Sequence, residues 1–411
     1  MQYEVTDLYT GLPVILAPMP DTPRMALTVA IRGGVVREPA SGMAKLASRL
    51  LLKGTESRDA ETLARELDER AIDLHEIVLS DCSILQAVFL NRELPSVLEI
   101  LQDILLRSTF VDFEKEATKL QGEIQASLDV PAEIAQDLLA RTLFEGYPYG
   151  DTGTRILQAM GSYTEAQVKD WYYAGLNPRE MNITLVGDFA QDEMLPLLDD
   201  TFADLKAQGS PSTPPAFTPI PADRMVTQAR PDAQQAQVYQ GWYAPPLGDD
   251  QQAALLVMNI LLGGAGLSSR LFAELRDKQG LAYSVRSQYL PMRQVGEYVV
   301  SIGTSPENIA RVRQGFAEQI TRLQHEPITL DELQHAKGRA QGVFVLGHET
   351  TCQWSMELSA NHINGVGPDY SDRLLQRIMA VTVADVQAAA NLLHSPTVTA
   401  IVAREDALPT A

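Results

Sequence analysis

Cysteine is nearly absent from this chain: there are two in 411 residues, Cys82 and Cys352. They form no C-x-x-C motif and no disulfide framework, and both are expected to be reduced, partly buried thiols. Histidine is almost as scarce. The six are His75, His325, His335, His348, His362 and His394. No two lie three or four apart, so no helical face presents a pair of imidazoles to a metal ion. Basic side chains are in deficit, with 33 Lys and Arg against 53 Asp and Glu, a formal net charge of −20. Such a surface repels phosphate backbones and anionic lipid, which argues against nucleic-acid binding and against a membrane partner. No apolar run approaches the roughly 18 residues of a membrane span. Residues 1–7 carry no basic stretch leading into an apolar one, so a cytoplasmic location is expected, or a periplasmic one if a leader has been removed. G-x-S-x-G and P-loop motifs are missing too.

What remains is an ordinary globular composition, 45% apolar and 21% charged, long enough for two or three domains. Residues 151–186 lie over residues 369–404 without a gap. Asp151, Arg155, Leu157, Gln158, Thr164, Ala166, Val168, Pro178 and Ile183 fall on Asp369, Arg373, Leu375, Gln376, Thr382, Ala384, Val386, Pro396 and Ile401. A repeat this long means duplicated domains, not a solenoid. Residues 207–221, AQGSPSTPPAFTPIP, carry five prolines and read as an extended linker. The expected division is a domain over 1–206, the linker 207–221 and a domain over 222–411.

Apolar periodicity predicts strands over 13–18, 24–32, 72–79, 83–90, 181–187, 235–243, 282–290, 296–303 and 397–403. It predicts helices over 40–53, 59–70, 93–107, 112–145, 151–159 and 164–174 in the first half. In the second half they fall over 249–262, 268–277, 306–324, 330–362, 371–379 and 382–393. Thr164 with Gln167, and Thr382 with Asp385, have capping-box spacing. Strand pairs followed by helix runs point to an α+β fold: two similar domains, each a mostly antiparallel sheet with helices packed on one face.

Residues 42–55, G-M-A-K-L-A-S-R-L-L-L-K-G-T, resemble the signature of the pitrilysin/insulinase family of zinc peptidases, usually G-[LM]-A-H-F-L-E-H-M-L-F-K-G-T. The family helix bears an inverted His-x-x-Glu-His, two zinc ligands and a general base. Here Lys45 and Arg49 stand at the ligand positions and Ser48 at the base. Lysine and arginine nitrogens hold their protons at neutral pH and cannot ligate zinc usefully. A serine needs an activating partner to replace a carboxylate base. The third family ligand lies in a Glu-x6-Glu pattern, which Glu116 and Glu123 match, so Glu123 resembles a ligand left behind. Cation is expected to replace cation, with Arg49, and Lys45 beside it, pairing with Glu123 or Glu116.

A second stretch, residues 262–283, resembles the family's Gly-rich segment followed by S-R-L-F-x-x-L-R-x-x-x-G-L-A-Y. Its Gly263, Gly264 and Gly266 follow a predicted helix instead of a strand and lack a terminal Lys-Ser/Thr, so a phosphate loop is a poor reading. A hinge, or close approach of backbone to peptide, fits better. Arg276 and Tyr283 match the family pair that hydrogen-bonds substrate near the scissile bond. The resemblance also implies peptide uptake as an added strand, at an edge matching residues 30–36, unless that stretch is simply a capped edge. The chain is thus expected to be the non-catalytic subunit of a heterodimeric metallopeptidase. On that expectation it holds no cofactor, acts with a homologous zinc-bearing partner and binds peptide substrates. A scaffold subunit and a peptide-binding homodimer are the alternatives.

Overall fold

The structure is a computed structural model that describes residues 1–207, 209 and 213–409. It divides into two units. The first comprises Met1–Glu123, Ile156–Pro215 and Gly347–Tyr370, and the second Ile124–Arg155, Ala216–Leu346 and Ser371–Ala411. They are therefore not the contiguous halves expected. The chain crosses in the linker, but each unit also holds a segment from the other half of the sequence.

The strands of the first unit are β1 (Glu4–Asp7), β2 (Pro13–Pro18), β3 (Arg24–Arg32), β4 (Asp73–Val78), β5 (Cys82–Leu90) and β6 (Met181–Gly187), in the order β1-β2-β6-β3-β5-β4. Those of the second are β7 (Arg224–Ala229), β8 (Ala236–Ala244), β9 (Ala282–Leu290), β10 (Gly296–Thr304) and β11 (Thr397–Ala403), in the order β7-β11-β8-β10-β9. Each sheet has one parallel contact, β2 with β6 and β7 with β11; every other neighbour is antiparallel. Without β1 the two orders superimpose strand for strand, as a duplication requires.

The helices of the first half are α1 (Met43–Leu51), α2 (Ala60–Glu69), α3 (Leu94–Arg107), α4 (Phe113–Ser127), α5 (Pro131–Leu143), α6 (Gly153–Ala159), α7 (Glu165–Gly175) and α8 (Gln191–Thr201). Those of the second half are α9 (Gln252–Asn259), α10 (Ile309–His325), α11 (Leu330–Leu346), α12 (Thr351–Ile363), α13 (Tyr370–Ala380) and α14 (Val383–Ala390). The capping boxes of Thr164 and Thr382 both form. The two long helices expected over 112–145 and 330–362 are each broken. Pro131, at the first turn of α5, cannot supply the N–H that would continue α4. Thr350 and Gln353 close a capping box that starts α12 afresh.

The chain changes unit at or just before these breaks, between Glu123 and Ile124 in the last turn of α4 and between Leu346 and Gly347 at the end of α11. Helix α12 lies on β3 and β6, and α5 on β8 and β11. On the first sheet Ala30, Cys82 and Ile84 pack with Ile363 of α12. The alternate residues Ile31, Ser83 and Leu85 look onto Ala44, Ala47 and Leu51 of α1. Each sheet's second face is thus covered by a helix from the other half of the sequence. The α12 face is polar at its centre: Gln86 donates to Ser355 and Thr28, and Asn182 to the Ser359 carbonyl, each at 3.0 Å.

Residues 30–36 are not an edge. Strand β3 is paired with β5 on one side and β6 on the other, so it cannot accept an added strand; the edges of this sheet are β1 and β4. Both cysteines are free thiols, and burial pushes the Cys82 thiol up to about 12.

Candidate functional site

Helix α1 begins at Gly42, whose φ of +94° favours glycine; a Cβ there would lie 2.7 Å from Ile156. The Glu38 carboxylate accepts the N–H groups of Gly42 at 2.9 Å and Ala44 at 2.8 Å, capping the helix with negative charge. From α1, Ser48 turns inward and is 8% exposed, whereas Lys45 and Arg49 are half-buried.

Arg49 grips Glu123 of α4 with its fork. Nη1 donates to Oε1 at 3.0 Å, and Nη2 donates to Oε2. The bidentate bond raises the Arg49 pKa further and holds the Glu123 carboxyl below the usual carboxylate range. Lys45 pairs with neither glutamate. Glu116 belongs to a different pair of cations: its buried carboxylate accepts from Lys119 at 2.9 Å and sits 3.3 Å from Lys53. Burial pushes its pKa up, but the bonds from Lys119 and Lys53 outweigh that and hold it below the usual range.

The surviving part of the motif has its own structural reasons. Lys53 ties α1 to α4 through Glu116. Gly54 has φ +134°, which only glycine adopts readily. The Thr55 hydroxyl donates to the buried Asp103 of α3, which also accepts from Ser57 at 2.6 Å and Arg58 at 2.9 Å. These contacts set α1, α3 and α4 against one another whatever occupies positions 45, 48 and 49. The donor set does not fit zinc. Two of its three motif positions are permanent cations and the third is a hydroxyl, and Glu123 is engaged by Arg49. Among the described residues, no three His, Cys, Asp or Glu side chains are placed to hold a metal ion.

In the second unit, the expected helix over 249–262 ends at Asn259, and residues Ile260–Gly264 wind as a π-helix. Gly263 and Gly264 are glycines for packing. A Cβ on Gly263 would lie 2.4 Å from the Ser287 nitrogen of β9, and one on Gly264 2.7 Å from the Asn259 side chain. The backbone approached at Gly263 is thus the chain's own strand. Gly266 has φ +61° and open space around it. The helix expected over 268–277 is a second π-helix, Phe272–Lys278. It ends where the N–H of Gly280 (φ +63°) meets the Arg276 carbonyl at 2.9 Å, and that turn carries the chain into β9.

This winding brings Arg276 and Tyr283 together. The guanidinium carbon lies 4.8 Å from the Tyr283 ring centre and 4.3 Å from that of Phe272. Tyr283, at the start of the edge strand β9, is 81% exposed. Lys53 and Phe272 were not singled out by sequence reasoning. Both sit inside the two matched motifs, so the signal that could have found them was present.

Residues 13–154 match the model described as insulinase (peptidase family M16), and residues 162–339 match the peptidase M16 inactive domain. An uncharacterized zinc protease of Mycobacterium leprae is 29% identical over 394 residues, covering 94% of this chain and 88% of its own. One from Bacillus subtilis is 25% identical over 351 residues, 83% of each chain. Among solved structures, a peptidase M16 inactive domain from Pseudomonas fluorescens superimposes with a TM-score of 0.89 at 20% identity over 98% of both chains. A protease from Helicobacter pylori gives 0.90 at 19% identity, over 98% of this chain and 99% of its own. The chain belongs to the insulinase family, peptidase family M16.

Proposed function

We propose that this chain is the non-catalytic subunit of a heterodimeric zinc metallopeptidase, supplying Arg276 and Tyr283 to peptide held by a homologous, zinc-bearing partner. The observation that carries the reading is the Arg49–Glu123 pair. A permanent cation on α1 neutralises the carboxylate that a divalent ion would otherwise need, so the chain keeps the family's frame without its metal chemistry. A half-buried guanidinium at Arg276 and an exposed phenol at Tyr283 complement this loss. A guanidinium and a phenol can hold a peptide carbonyl or a developing oxyanion without any metal of their own.

The test is reconstitution. The chain, and an M16 protein from the same genome with an intact His-x-x-Glu-His, are purified separately and together and assayed on a mixed peptide library. Hydrolysis by the pair and not by either protein alone is the expected result. A partner equally active without this chain would favour a scaffold.

A further inference from the structure

We infer that Phe272 is a positioning residue for Arg276, an inference that rests on the peptide-holding role just proposed and deepens it. The guanidinium lies against two aromatic rings, nearer to Phe272 than to Tyr283. Phe272 is 8% exposed and belongs to the core cluster that includes Leu275 and Phe316, so its ring is fixed by packing. Tyr283 is exposed and cannot fix anything alone. The π-helical winding of Phe272–Lys278 stacks residues 272 and 276 on one face. Such turns are rare and recur at functional sites.

The neighbouring cations are neutralised differently. Glu274 takes Lys278 at 2.7 Å and Arg322 at 3.5 Å, whereas the Arg276 side chain makes no hydrogen bond or ion pair with any described residue. With two rings against it and no acid paired to it, its N–H groups are left to bind a ligand. Phe272 therefore sets where those donors point and keeps the charge without an acid to consume it.

The primary measurement is the Arg276 side-chain Nε–Hε resonance in the free, full-length chain, assigned by its loss in Arg276→Lys. Ring currents should displace it upfield of the other arginines in the wild type. Phe272→Leu, which keeps apolar bulk but removes the ring, should return it toward the bulk position, and Phe272→Trp should keep it displaced. An undisplaced wild-type signal, or equal movement in the Leu and Trp variants, would overturn the inference, and the first of these needs no variant to fold. In the reconstituted pair, Phe272→Leu should raise KM about threefold with kcat little changed, and Phe272→Trp should restore it. If Arg276→Ala leaves hydrolysis unchanged while the resonance behaves as expected, the peptide-holding role fails and the clamp stands. If Arg276→Ala lowers hydrolysis while Phe272→Leu moves neither resonance nor KM, the clamp fails and the role stands.

Discussion

At the scale of residues, the two ion-paired glutamates of α4 differ in what their partners contribute. The Glu123 side chain is 58% exposed, so the Arg49 pair is screened by solvent despite its bidentate geometry. Arg49→Ala should cost at most about 1 kcal/mol by denaturant titration. Glu116 is 3% exposed, and Lys53→Ala removes one of its two cations from a buried carboxylate; a loss of about 2–3 kcal/mol is expected. Equal costs for the two variants would contradict this ordering. Both carboxyls lie below their ordinary range, so each contributes stability above its unfolded pKa and loses it as pH falls through the folded value. The same geometry predicts that Lys45→His, Ser48→Glu and Arg49→His together free Glu123 and recruit one zinc, counted by elemental analysis after dialysis. A metal-free triple variant would mean that α1 and α4 no longer stand at ligating distance.

Among elements, the inner strands were legible in the sequence because their apolar runs are buried on both faces, as in β6, where every residue is buried. The edge strands β1 and β7 were not, because they are short and largely exposed and leave no apolar pattern. The long helices misled for the opposite reason. Apolar residues run up to each break and resume after it, as at Leu346 and Trp354, while capping and proline stop the backbone, and periodicity alone does not register a stop. The π-helices share composition with α-helices and had no sequence signal. Strand β10 carries one residue at odds with its surroundings. Glu297 is buried opposite Tyr243 and Leu290, one carboxylate oxygen has no hydrogen-bond partner, and burial pushes its pKa up to about 7. The unfolded value is about 4.3, so between these limits the folded state binds more protons and stability falls as pH rises. Glu297→Gln should remove that slope, gaining on the order of 3 kcal/mol relative to wild type on going from pH 4 to pH 8. Parallel pH profiles for the two proteins would contradict it.

For the whole molecule, the duplication read from nine matched residues accounts for two sheets of the same strand order and for the paired breaks, each releasing a helix to the other half's sheet. The exchange itself was hidden, because proximity in sequence implies nothing about which sheet a helix covers. The matched motifs located Lys45, Ser48, Arg49, Glu123, Arg276 and Tyr283, and the resemblance together with charge chemistry led to a pairing of Arg49 with Glu123 or Glu116, of which the first forms. The division of labour between this chain and a zinc-bearing partner is tested most directly by kcat/KM for peptide hydrolysis in the reconstituted pair. The comparison is between wild type, Arg276→Ala and Tyr283→Phe, the last of which keeps the ring and removes only the hydroxyl. Loss of one donor to a developing oxyanion predicts a fall of roughly 10²–10³-fold with the complex intact by gel filtration. Wild-type rates in both variants would contradict the account.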